Sequence, residues 1–110
     1  LLRDRDSKQI KPSGLGLGLS DTNYFNQTLE EYSVELKNND TIVLYTDGVT
    51  EAKNENFEDF GDKYFLDILQ QSSNLNAQEL SNKIIQEITV FSSNHAQYDD
   101  ITLVIFKWQQ

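Results

Sequence analysis

Two apolar runs, each bounded by carboxylates, constrain this chain more than any other feature. "TIVLYT" (41–46) stops at Asp47 and Gly48, and "ITLVIFKW" (101–108) starts directly after Asp99 and Asp100. Both runs are rich in β-branched and aliphatic residues and short, the pattern of strands. The first is apolar on both faces, as expected of a strand central in its sheet. If the two pair antiparallel, the end of one lies beside the start of the other, and the carboxylates converge at one edge of the sheet. Like charges that close together must be protonated or bridged by a cation. Oxygen-only donors favour a hard ion, Mg²⁺ or Mn²⁺ over Zn²⁺. On this reading the strand delivers Asp47 as a ligand, and Gly48 lets the backbone turn tightly beside it. A plainer reading stays open, because "DG" after a strand is a common turn and "DD" before one a common loop.

The rest of the chain supplies the frame. Residues 1 to 23 are polar apart from "GLGLGL" (14–19). That run fails as a dinucleotide fingerprint, since position 19 is Leu19 and no strand precedes it; it reads as a turn or a closely packed backbone. From Tyr24 to Leu36 the residues alternate loosely, with Tyr32, Val34 and Leu36 on one face of an expected half-buried strand. "KNND" (37–40) is a turn. "DKYFLDILQQ" (62–71) predicts a helix with Tyr64, Phe65, Ile68 and Leu69 on one side. "NAQELSNKIIQEITVF" (76–91) predicts a second, with Asn76 as N-cap, Glu79 as capping-box partner, and a stripe of Ala77, Leu80, Ile84, Ile88 and Phe91 that wants a sheet beneath it. "SSNHAQYDD" (92–100) is a loop. The fold expected is α+β: an antiparallel sheet with helices packed on one face. Trp108 is expected to cap the edge of the core.

Composition narrows the function classes. At 110 residues the chain is one small domain. Eighteen acidic and nine basic residues give a net charge of −9, a field that repels nucleic acid and anionic membranes. With no cysteine, disulfides and thiolate chemistry are excluded, and no apolar stretch resembles a signal peptide or a membrane span; a cytoplasmic location is expected. One histidine, His95 in a loop, and no nucleophile elbow give a catalytic triad no support. Glu30, Glu31, Glu51, Glu55, Glu58 and Asp59 read as solvated surface.

In order and spacing, "LGLGL", "NDTIVLYTDGVTEAKNENFEDFG" and the terminal "DDITLVIFK" resemble the second half of PPM-type serine/threonine protein phosphatases, in the bacterial SpoIIE/RsbU-like branch. The resemblance runs from about Gly14 to Lys107. It implies an α-β-β-α sandwich with two Mn²⁺ or Mg²⁺ ions in the complete domain, where water activated by metal attacks a phosphoserine or phosphothreonine. Asp47 matches the metal-binding aspartate of the "TDG" motif, and Asp99 that of the last motif. Asp100 stands where eukaryotic relatives commonly carry asparagine, which implies a supporting role beside Gly48. Two glycines usual in the family are replaced, one by Asn39 and one by Asn56-Phe57.

The family's first half supplies further ligands, among them the aspartate that bridges both ions, and no segment here matches it. The resemblance therefore implies the C-terminal portion of a phosphatase domain, inactive alone. Its substrate would be a phosphorylated protein, in bacterial relatives typically an anti-sigma-factor antagonist. A half sandwich would expose a sheet face or edge and invite pairing as a homodimer. The alternative is a non-catalytic binding or scaffold module of the same fold.

Overall fold

In a computed structural model the structure describes residues 1–11, 27, 31–93 and 100–110. Among the described residues seven elements follow in chain order: β1 (Leu2–Arg3), β2 (Asp6–Ser7), β3 (Thr41–Tyr45), a single helical turn α1 (Asp47–Thr50), α2 (Asp62–Gln71), α3 (Ala77–Ser92) and β4 (Leu103–Lys107). The strands form one antiparallel sheet in the order β2-β1-β3-β4. β3 is central, as its two-sided apolar sequence implied. Its register with β4 runs from Thr41 opposite Lys107 to Tyr45 opposite Leu103.

Period-2 alternation sorts these strands into two faces. Val43 and Tyr45, with Ile105 and Leu103 across from them, pack against the buried core. That core is formed with α2 and α3, whose Phe65, Ile68, Leu69, Leu80, Ile84 and Ile88 are buried. Phe65 and Ile84 are fully enclosed, and each contributes about 1.5–3 kcal/mol through burial alone. The opposite face stays open: Leu44, Val104 and Phe106 are 53%, 41% and 55% exposed. Trp108, two residues beyond Phe106, is 46% exposed and does not cap the core.

Both long helices lie where the periodicity puts them. The Asn76 side chain accepts from the Glu79 backbone N–H at 2.8 Å, which secures the start of α3. The reciprocal half of the capping box is replaced, since Glu79 instead accepts from the Asn76 side-chain amide. Tyr64 leaves the buried stripe of α2. Its ring tilts against Phe60 at 4.8 Å and its hydroxyl donates to Glu87 of α3, a bond that pushes the phenol pKa up.

Two strand readings need correction. The first residues, read only as polar, form the β1–β2 hairpin, which lodges Leu2 in the core. The described part of the expected Tyr24–Leu36 strand, residues 27 and 31–36, is not strand, and Tyr32 and Val34 are exposed. Residues 24–26 and 28–30 of that expectation, the "GLGLGL" run and His95 lie outside the described residues.

The hairpin is tied to β3 by an ion pair. Asp40 is buried and accepts from Arg3 Nε at 2.9 Å, Arg3 Nη2 at 2.7 Å and the Lys37 backbone N–H at 2.7 Å. The Arg3 guanidinium, with help from the Lys37 N–H, pulls the Asp40 pKa down to about 2 from its ordinary 3.8. A depressed carboxylate pKa contributes stability that is complete above the ordinary value and is lost as pH falls toward the folded one, here from about 3.8 to about 2. Asp40→Ala is expected to cost about 2–3 kcal/mol near neutral pH. The cost should shrink through that acid window, which chemical denaturation at several pH values would show. The turn before Asp40 places Asn39 at φ 70°, the left-handed region asparagine tolerates.

Candidate metal centre at the β3–β4 sheet end

The site residues sit where β3 stops and β4 begins. β3 ends at Tyr45; Thr46 follows in extended conformation, and Asp47 opens the helical turn α1. The Asp47 side chain is exposed, while its carbonyl is engaged, accepting from Glu51 N–H at 2.8 Å. The next residue explains the geometry. A Cβ on Gly48 would lie 2.2 Å from the Asp100 carbonyl oxygen and 2.8 Å from its carbon. No side chain fits there. The glycine is thus required by close approach of two backbones, not by the tight turn the sequence implied, since Gly48 is helical.

Thr46 holds that approach in place. Its hydroxyl donates to the Asp100 carbonyl at 3.2 Å and accepts from Thr102 N–H at 3.0 Å, and its own N–H donates to the Thr102 carbonyl at 3.1 Å. The structure therefore brings Asp47, Gly48 and Asp100 to one end of the sheet. Asp99 lies outside the described residues. Among the described residues no group of three or more Asp, Glu, His or Cys side chains gathers as a metal site would require. Sequence reasoning missed Thr46. The signal was available as a threonine at each strand terminus, Thr46 ending one run and Thr102 near the start of the other.

Two neighbouring features complete the setting. Asp47 lines a cavity of about 550 Å³ between residues 7–11, β3 and α2, shared with Lys8, Lys11, Tyr45 and Asp62. Downstream of α1, residues 52–60 form a braced loop: Phe60 N–H donates to the Ala52 carbonyl, Lys53 pairs with Asp59, and Asn54 accepts from the backbone of Asn56 and Glu58. Phe57 adopts φ 61°. A bulky residue there carries about 1–2 kcal/mol of backbone strain.

The donor types at this sheet end are oxygens, on a solvent-accessible carboxylate whose neighbouring backbone is fixed. In kind they fit a hard divalent ion. In number the described carboxylates fall short of what two ions need.

Comparison with known proteins bears on the fold directly. The profile of the family described as stage II sporulation protein E (SpoIIE) matches residues 1–109. Among solved structures, the chain is similar to the SiaA-PP2C domain of Pseudomonas aeruginosa, with 28% identity and a TM-score of 0.58. That match covers 63% of this chain and 28% of the other, so the chain spans under a third of that structure's length. A search of curated proteins returned no match. With a family profile spanning nearly every residue and a PP2C-domain structure matching 63% of the chain, the chain belongs to the SpoIIE family of PPM-type phosphatase domains.

Proposed function

We propose that this chain contributes one side of a metal-dependent protein serine/threonine phosphatase site, with Asp47 and Asp99 as metal ligands. The observation that carries the reading is the Gly48–Asp100 contact, which places the two carboxylate-bearing segments side by side where β3 meets β4. Asp47 would hold the ion from the first segment and Asp99 from the second, with Asp100 and Gly48 supporting. When bound, Mn²⁺ or Mg²⁺ would lower the pKa of a water and neutralise charge on the phosphoryl oxygens. The chain's own part is to hold anionic oxygens at fixed spacing and to wall the approach. Lys8 and Lys11, which line the cavity beside Asp47, favour an anionic substrate in a chain otherwise strongly acidic. The substrate class is a phosphorylated protein, on family grounds an anti-sigma-factor antagonist.

In the sandwich that the family implies, the open face bearing Leu44, Val104 and Phe106 packs on a second sheet. Without that partner it is a surface for self-association, so the isolated chain is expected to form a homodimer. No nucleic-acid partner is proposed, and no helix among the described residues is long and apolar enough to cross a membrane.

A second reading, a scaffold module of the same fold, draws on the absence of a three-carboxylate group among the described residues. Phosphatase assays separate the two. The 110 residues alone are expected to show no turnover of a phosphoserine peptide, and the complete domain to show Mn²⁺-dependent turnover. Robust turnover by the isolated chain would refute the need for upstream ligands. A complete domain inactive with Mn²⁺ and Mg²⁺ would favour the scaffold.

A further inference from the structure

We propose that the edge of β3 facing away from β4 is a docking site for an extended segment of the phosphoprotein substrate, which adds there as a strand. That the segment belongs to a substrate rests on the phosphatase reading; the state of the edge does not. β1 covers only the first residue of β3, with Leu2 opposite Thr41. Farther along, the bond from Thr46 N–H to the Thr102 carbonyl fixes the alternation of the ladder. Counted back through the β3–β4 register, Leu44 and Ile42 turn their N–H and C=O toward β4, and Val43 and Tyr45 turn theirs to the other side. Among the described residues these Val43 and Tyr45 backbone groups have no hydrogen-bond partner. Sheet edges are usually blunted by a charge, a proline or a bulge. Val43, Leu44 and Tyr45 supply no charge or proline, and the unbroken register with β4 leaves no bulge. Such an edge is a template for another strand.

The space beside it suits a peptide. The cavity of about 550 Å³ lies between residues 7–11 and β3, with Leu66 and Leu69 of α2 in its lining. The wall opposite β3 is held in place, because Gln9 Nε2 donates to the Tyr45 hydroxyl at 2.8 Å. A strand added to β3 alternates its side chains between the two faces of the sheet, so every second one meets the apolar surface of α2. Lys8 and Lys11 also line the cavity, and in a chain of net charge −9 they favour a segment with negative charge among its apolar residues. Asp47 and Asp62 line it as well, so that charge is expected beside residues 7–11.

The test is fluorescence anisotropy on the complete domain without metal. The probe is a labelled nine-residue peptide alternating Val and Thr around one central phosphoserine. Backbone N-methylation of every second residue removes the donors on one edge of an extended peptide and leaves the other edge intact. Of the two peptides methylated on alternate sets, one is expected to bind at least about tenfold weaker and the other within about threefold of the unmethylated peptide. Lys8→Glu combined with Lys11→Glu is expected to weaken phosphopeptide binding about tenfold. Amide hydrogen exchange locates the contact: Val43 and Tyr45 N–H should exchange freely in the peptide-free domain and gain at least about tenfold protection with peptide. Absence of binding, or equal binding by all three peptides, would overturn the proposal. So would Val43 and Tyr45 amides already protected in the peptide-free domain, the result expected if another segment of the protein pairs there. Alternation-sensitive binding by a domain that hydrolyses no phosphopeptide with Mn²⁺ would keep the docking site and remove the phosphatase reading.

Discussion

Gly48→Ala is expected to lower the stability of the complete domain by about 3 kcal/mol and to weaken Mn²⁺ binding in the same variant. The new methyl would sit 2.2 Å from the Asp100 carbonyl oxygen, well inside any normal carbon–oxygen contact. Both partners are backbone, so no side chain can swing away. Either α1 tilts off the sheet end or the Asp100 segment retreats from it, and each movement parts the segments that carry Asp47 and Asp99. Alanine is otherwise the better helix residue, worth about 1 kcal/mol over glycine in an unstrained helix. If Gly48 were merely a turn residue in open space, the substitution would raise stability. The sign of the change thus separates the two accounts. Thermal unfolding should show a drop on the order of 10 °C.

Asp47→Asn is expected to abolish turnover by the complete domain, by at least about a hundredfold, while leaving apo-protein stability equal or slightly higher. The amide keeps the size and one acceptor oxygen of the carboxylate but loses its charge. If Asp99 stands beside Asp47 as proposed, removing one negative charge relieves repulsion when no ion is bound. The same loss removes the anionic donor that retains a hard divalent ion. A capping role predicts the reverse, a cost of about 1 kcal/mol with near-normal activity. The structure already disfavours that alternative, because the Asp47 side chain is exposed and the local turn is closed by its carbonyl. Melting temperature without metal and phosphopeptide turnover, measured on one preparation, decide between them.

What the sequence could reveal follows from the range of each interaction. α2 and α3 were legible because helical periodicity and an N-cap are local, and Asn76 accepts from Glu79 N–H as that pattern requires. β3 and β4 were legible because their apolar runs are bounded sharply. The β1–β2 hairpin was not, since two-residue strands leave no periodicity, and what fixes them is the distant Arg3–Asp40 pair. Alternation over Tyr32 and Val34 misled for the converse reason: a pattern suited to pairing does not supply a partner.

At the site, Asp47 could be read from its place after a strand. The need for Gly48 was visible but its cause was not, because the obstructing carbonyl belongs to a residue 52 positions away in sequence. Thr46 escaped notice for the same reason. Its hydroxyl acquires meaning only once the Asp100 carbonyl and Thr102 N–H are beside it.

The central claim is that the end of β3 and the start of β4 bring Asp47 and Asp99 to one ion. Titration of Mn²⁺ into the complete domain and its Asp47→Asn, Asp99→Asn and doubly substituted forms tests it most directly. Two carboxylates on one ion are coupled, so each single change should weaken binding at least about tenfold and the double change by less than the product of the two. Mn²⁺ affinity unchanged in either single variant would contradict the shared site.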